Sequence, residues 1–107
     1  MITLEQIKQW AVSGESETLE FKRSSGERKE AAMSICAMLN HKGGRVIFGI
    51  ERDGRVVGQD VSDKSVEDVT NELREIDPPS FPIVQRIDLT DGKQLIVVET
   101  SAGTAKP

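Results

Sequence analysis

The stretch Gly14–Lys22, GESETLEFK, contains the pattern from which the fold of this chain can be argued. Polar and apolar residues alternate along its second half, with Leu19 and Phe21 on one side and Glu20 and Lys22 on the other. Alternation with a period of two predicts a β-strand with one face on a core. We therefore expect Leu19 and Phe21 to be buried and the two charged side chains to lie on the opposite face.

Helical periodicity predicts three helices around this strand. The segment Thr3–Gln6 has the capping-box pattern at the start of the first helix, which ends at Ser13-Gly14. The second helix is predicted from about residue 27 to His41, where two glycines follow. The third is predicted from about residue 63 to Ile76, because prolines come directly after it.

The remaining apolar segments predict strands. Residues 45–51, RVIFGIE, form a near-continuous apolar run that is typical of a buried central strand. The Asp-Gly pair at 53–54 predicts a tight turn, after which residues 56–58 return antiparallel. Residues 83–89 and 94–100 predict a second hairpin. The expected fold is α+β, a mixed and mainly antiparallel sheet of about five strands with about three helices packed on it.

The length of 107 residues fits one domain, which we place at residues 1–100. Residues 101–107 are expected to be a linker to a C-terminal region. No apolar run is long enough for a membrane span, and the N-terminus lacks the regions of a signal peptide. The single cysteine, Cys36, cannot form an internal disulfide. We expect a cytoplasmic protein without membrane contact.

Charge is unevenly distributed along the chain. The net charge of −4 argues against a protein that coats nucleic acid indiscriminately. Residues 22–55, however, carry eight Lys or Arg against four acids, whereas residues 56–100 carry ten acids against four bases. The basic segment predicts one positive face that could meet nucleic acid. The alternative is a solvated surface on which these charges form salt bridges.

Acidic residues near the first strand suggest a second kind of chemistry. Glu15 and Glu20 could share a divalent metal, because Mg²⁺ and Mn²⁺ prefer oxygen ligands. A nuclease site needs a third carboxylate, for which Glu51 or Asp53 is available. Glu15 and Glu20 are therefore candidate catalytic residues, and Glu15, Glu20 and Asp53 form a candidate metal set. The alternative is that all of them are solvated surface charges.

The turn at residues 40–45, NHKGGR, is a candidate anion site, because backbone N–H groups in a Gly-Gly turn can bind an anion. A helix C-cap followed by a tight entry into a strand explains both glycines without a ligand, and we favour that reading for them. The predicted nucleic-acid-binding residues are Lys22, Arg23, Arg28, Lys42, Gly43, Gly44 and Arg45.

Four short motifs occur in order: ESETLEFK (15–22), AMLNHKGG (37–44), VIFGI (46–50) and DGRVVG (53–58). Together they resemble the Schlafen/AlbA-type domain. The resemblance implies a DNA-binding domain of bacterial transcriptional regulators, found with divergent AAA-type proteins. It also implies kinship with RNA-cleaving relatives that use a three-carboxylate metal site. Two of those carboxylates fall on Glu15 and Glu20, while the third does not align cleanly.

These observations leave three hypotheses about function. The first is a nucleic-acid-binding module of a regulator, with DNA ahead of RNA and no cofactor. The second is a ribonuclease that depends on Mg²⁺ or Mn²⁺. The third is a dimerisation or partner-binding module, for instance a homodimer. We place binding ahead of catalysis because the third carboxylate is missing from the motif.

Overall fold

The computed structural model describes residues 1–39, 42–75 and 82–101. Within these ranges the chain forms three α-helices and a sheet of four strands, which confirms the α+β class. In chain order the elements are α1 (Leu4–Ser13), β1 (Leu19–Lys22), α2 (Arg28–Leu39), β2 (Gly43–Phe48), α3 (Asp63–Arg74), β3 (Ile83–Asp88) and β4 (Gln94–Ser101), with a 3-10 turn at Ser25–Glu27 before α2.

Helix α1 begins with the capping box that the sequence predicts. The Gln6 N–H donates to Thr3 Oγ1 at 3.3 Å, and the Thr3 N–H donates to Gln6 Oε1 at 2.9 Å. Each side chain satisfies a backbone donor that has no partner inside the helix. The predicted ends of the second and third helices, at His41 and Ile76, lie outside the described residues. So do residues 102–107 of the expected linker, whereas Ser101 belongs to β4.

The strands lie in the order β1-β2-β4-β3. Strand β1 runs parallel to β2, with Phe21 opposite Ile47, and the other two pairs are antiparallel. The apolar run 45–51 contributes most of β2, and Val46, Ile47 and Phe48 in it are fully buried. The prediction of a buried central strand is therefore confirmed.

The expected number of about five strands was wrong, because residues 56–58 do not form a strand. They return only as an isolated bridge between Ile50 and Val56. The N–H groups of Val57 and Gly58 both donate to Gly49 O, at 3.0 and 2.8 Å, so the chain crosses the end of β2. The reason is that both hydrogen-bonding edges of β2 are already occupied, one by β1 and the other by β4. A returning segment has no edge left to pair with.

Two apolar layers enclose the sheet. On one face Val46 and Ile96 pack with Ile35 of α2 and Val69 of α3. On the other face Phe21 and Ile47, with Leu95 and Val97, pack with Ile7 of α1. Successive residues of a strand point to opposite faces, so the central strands are apolar on both sides. No helix in the described part of the chain is long and apolar enough to cross a membrane.

Candidate functional site

Strand β1 is an edge strand, and its outward N–H groups are bound by the chain itself. The Leu19 N–H donates to Ser16 O at 3.3 Å. The Phe21 N–H donates to a carboxylate oxygen of Glu15 at 2.9 Å, and the Arg23 N–H donates to Glu27 Oε1 at 2.9 Å. An open edge can pair with another chain, so these contacts close β1 against further strand addition. Glu15 thus holds a backbone group of its own domain.

Glu20 lies on the opposite face of β1 from Leu19 and Phe21, as the alternation predicts, and points toward α2. Its Oε2 accepts a short hydrogen bond from the Ser34 hydroxyl of α2. The Lys22 ammonium lies 3.6 Å from the same oxygen, and the Lys22 side chain is only 12% exposed. Lys22 is therefore held inside the domain beside Glu20, and little of it can reach a phosphate.

A cleft of about 360 Å³ opens between β1 and α2. The segment that leads into β1 supplies hydroxyls to it: the oxygens of Ser16 and Thr18 lie 3.3 Å apart. Glu20 of β1 and Ser34 of α2 also line the cleft and are hydrogen-bonded to each other. We call this site the β1–α2 cleft; it is lined by Ser16, Glu17, Thr18, Glu20, Ser34, Ala37, Met38 and Lys42.

The two glycines after Lys42 have structural roles. A Cβ on Gly44 would lie 2.6 Å from Thr18 O and 2.7 Å from Met38 Sδ, so only glycine allows β1 and α2 to approach β2 this closely. Gly43 has a φ of +80°, which L side chains rarely adopt. Both observations support the reading of a tight entry into the strand. Lys42 itself is exposed and borders the β1–α2 cleft.

Arg45 lies on the other face of the sheet. Its Nε and Nη2 both donate to Glu99 Oε2 at 2.8 Å. Its guanidinium also stacks over the Trp10 ring of α1, 4.7 Å from the ring centroid. Because side chains alternate along β2, Arg45 points toward α1 while Val46 points toward α2. The expectation of one positive face that includes Arg45 was therefore wrong.

The other predicted basic residues keep part of their surface. Arg23 pairs with Glu51 at 2.9 Å, yet its side chain is 69% exposed. Arg28, at the start of α2, lies 3.9 Å from Glu72 and is 38% exposed. Salt bridges of this exposed kind are weak, so both guanidiniums can exchange their partner for another anion. The alternative of a partly salt-bridged surface thus applies to these two residues.

The candidate metal ligands are not brought together. Glu15 is bound to the Phe21 amide, Glu20 faces α2, and Asp53 is exposed in a turn. The described residues contain no group of three His, Cys, Asp or Glu side chains that could hold a metal ion. Asp53 instead accepts from the Arg55 N–H at 3.1 Å. This backbone hydrogen bond, with the Arg55 guanidinium, lowers the pKa of Asp53 below its usual value.

The sequence analysis did not identify the cleft hydroxyls of Ser16, Thr18 and Ser34, and Ser34 is the one that meets Glu20. Ser34 lies three residues after Ala31 and four before Met38, and both of these are buried. Positions at such spacing share one face of a helix. A serine on the buried face of α2 needs a polar partner inside the domain, and this position was the signal available in the sequence.

Comparison with known proteins identifies the family of this chain. The model of the Schlafen, AlbA_2 family matches residues 15–107. The chain belongs to the Schlafen/AlbA_2 family. The match begins at Glu15 and includes the ESETLEFK motif together with every residue that lines the β1–α2 cleft. No curated protein matches the chain at a significant level.

Solved structures with the same fold include two bacterial proteins. One is the N-terminal domain of a RecG-related protein from Nitrosomonas europaea, with a TM-score of 0.76 and 24% identity, over 100% of this chain and 79% of that one. The other is the DIP2311 protein from Corynebacterium diphtheriae, with a TM-score of 0.60 and 19% identity, over 94% of this chain. The chain spans 26% of the DIP2311 protein. At these identities the likeness concerns the fold alone.

Proposed function

We propose that this Schlafen/AlbA_2 domain is a nucleic-acid-binding module, and that it binds the phosphate backbone at the rim of the β1–α2 cleft. The observation that carries the proposal is the grouping of the exposed Lys42 with two hydroxyls, Ser16 and Thr18, around one cleft. Ammonium and hydroxyl groups are common partners of phosphate oxygens. These groups position a strand without reading its sequence.

The path of a strand past Lys42 follows from the length of α2. A helix rises about 1.5 Å per residue, so the 12 residues of α2 span about 18 Å, with Arg28 at the start of the helix and Lys42 three positions after its last residue. Arg23 lies just before that helix and is largely exposed. We propose that a strand that leaves the cleft along α2 meets Lys42 first and then Arg28 and Arg23, whereas Arg45 lies on the far face.

DNA is placed ahead of RNA in this proposal because the Nitrosomonas europaea neighbour is described as a candidate ATP-dependent DNA helicase related to RecG. The family resemblance extends the proposal to a regulator that uses this module to reach DNA. We propose binding rather than metal-dependent cleavage, since Glu15 is engaged by a backbone amide and the described residues gather no three-carboxylate group. Homodimer formation stays a prediction that light scattering would check.

The proposal is tested by fluorescence anisotropy with labelled single- and double-stranded oligonucleotides at low salt. Three phosphate contacts predict that log K falls with log salt with a slope of about −2 for single strands. Lys42→Ala should weaken binding several-fold, and Glu17→Gln should strengthen it because it removes a negative charge from the cleft rim. Lys8→Ala is the matched control, since Lys8 is an exposed lysine of α1 on the other face.

Two outcomes would contradict the proposal. The first is no affinity for any oligonucleotide at about 50 mM salt, where phosphate contacts are strongest. The second is a loss of affinity that is equal in Lys42→Ala and Lys8→Ala, which would mean that overall charge rather than the cleft is responsible.

A further inference from the structure

The acceptor groups inside the β1–α2 cleft are held in one orientation. The Ser34 hydroxyl and the Lys22 ammonium both contact Oε2 of Glu20. Neither of them contacts the second carboxylate oxygen, Oε1, and Glu20 lines the cleft, so we take Oε1 as the acceptor available to a ligand. Ser34 gives its only hydrogen to Glu20, so its oxygen can act toward a ligand only as an acceptor. The lining of the cleft thus presents two neighbouring acceptors.

The charges around these acceptors balance. Glu17 and Glu20 carry two negative charges, and Lys42 at the rim with Lys22 behind Glu20 carries two positive charges. A bare anion would meet the carboxylates, and a bare cation would meet the ammonium groups. A neutral ligand with N–H donors avoids both, because it pairs with the acceptors and brings no charge of its own into the cleft.

The apolar part of the lining suits a flat ring. Ala37 and Met38 of α2 contribute to the cleft, and a thioether packs favourably against an aromatic ring. A volume of about 360 Å³ is at the lower end of the range for small-molecule sites. The cleft is therefore of a size for one base with its sugar rather than for a larger coenzyme.

From these observations we infer that the β1–α2 cleft binds one unpaired guanine base, with Glu20 Oε1 and Ser34 Oγ accepting from the donors on its Watson–Crick edge. Guanine alone among the common bases offers two adjacent donor groups on that edge, N1–H and the 2-amino group. Uracil and thymine offer one N–H between two carbonyls, which would face the acceptors. This inference rests on the proposed function, since the phosphate of the same nucleotide would lie at Lys42.

The experiment is titration of the chain with 5′-GMP, 5′-IMP and 5′-UMP, followed by amide NMR shifts and calorimetry. IMP differs from GMP only by the missing 2-amino group. We expect shifts at Thr18, Glu20 and Ser34, and an affinity for GMP about tenfold above that for IMP, because the lost hydrogen bond leaves a charged acceptor unpaired. UMP should bind most weakly. Because these ligands are compared on the unaltered chain, the result does not depend on whether a variant folds.

A variant pair adds a second test. Glu20→Gln replaces a charged acceptor by an amide that also donates, so the preference for GMP over IMP should fall to within about twofold. The control is Glu67→Gln, an exposed carboxylate of α3. Equal affinity of the unaltered chain for GMP, IMP and UMP, or shifts that avoid the cleft, would overturn the inference.

The two proposals fail in different ways. If oligonucleotides bind through Lys42 but the chain does not prefer G-containing strands or GMP, the guanine inference is wrong and the proposed function stands. If GMP binds in the cleft and no oligonucleotide binds at low salt, the cleft is a mononucleotide site and the proposed function is wrong.

Discussion

Glu15 and Phe21 are joined by a hydrogen bond of 2.9 Å in which the Phe21 backbone N–H donates to the Glu15 carboxylate. The contact joins two residues six positions apart in the ESETLEFK motif and ties the segment before β1 to the outer edge of that strand. Glu15, which the motif suggests as a catalytic or metal-binding residue, thus also has a structural role. This relationship gives the first prediction.

Glu15→Ala should lower the free energy of unfolding by about 1–2 kcal/mol, because the Phe21 amide loses an ionised acceptor. Glu15→Gln is the matched control and should recover at least half of that loss, since its amide oxygen can still accept. Urea denaturation followed by circular dichroism measures both. Equal stability of the alanine variant and the unaltered chain would show that water replaces the carboxylate at no cost.

Glu20 and Lys22 should be energetically coupled. Lys22 is largely enclosed, so removing Glu20 leaves a cation without its partner, which costs more than removing both charges. In a double-mutant cycle of Glu20→Gln and Lys22→Met we expect a coupling of about 1 kcal/mol in the free energy of unfolding. A coupling of zero would mean that the 3.6 Å contact contributes nothing.

Gly44→Ala should be destabilising by about 1–3 kcal/mol, because the added methyl group meets backbone at Thr18 and the Met38 sulfur in a packed region. Gly26→Ala serves as the control: its Cβ would meet only the Ser24 hydroxyl oxygen, at 3.4 Å, on the exposed 3-10 turn. That variant should stay within about 0.5 kcal/mol of the unaltered chain. Thermal and urea unfolding compare the pair, and equal effects would contradict the packing argument.

Arg45→Lys should affect stability and leave nucleic-acid affinity unchanged. A lysine can neither donate two N–H groups to Glu99 Oε2 nor stack as a plane on Trp10. We expect a loss of about 0.5–1 kcal/mol in the free energy of unfolding, a small value because the pair is partly exposed. The same protein is assayed by anisotropy with the oligonucleotides. A fall in affinity as large as that of Lys42→Ala would place Arg45 on the binding surface after all.

The lowered pKa of Asp53 predicts that its contribution to the stability of the fold changes only at acidic pH. Its pKa is lower in the folded chain than usual, so the ionised form stabilises the fold above the ordinary pKa of the group, and this contribution disappears as the pH falls through the lowered value. The stability difference between the unaltered chain and Asp53→Asn should therefore be present at neutral pH and shrink once the pH falls below the ordinary pKa of an aspartate, about 3.9. Unfolding curves of both proteins across pH 2–7 check this, and a difference that is constant with pH would contradict it.

Local patterns were sufficient for much of the fold. The alternation at Leu19 and Phe21 and the Thr3 capping box each depend on residues within a few positions, and both were predicted correctly. The long apolar run of β2 likewise indicates burial on both faces, whatever lies next to it. Such features follow from the period of a helix or a strand, which any short segment carries.

The tertiary structure decided the rest, because those features depend on partners distant in the chain. Whether residues 56–58 form a strand depended on β4, which takes the remaining edge of β2. The partner of Glu20 is Ser34 on α2, and the partners of Arg45 are Trp10 and Glu99 on other elements. The charge of the central segment was visible in the sequence. The positive charges of this segment are divided between the two faces of the sheet. This division depends on the side-chain alternation along β2 and on the helices that cover each face.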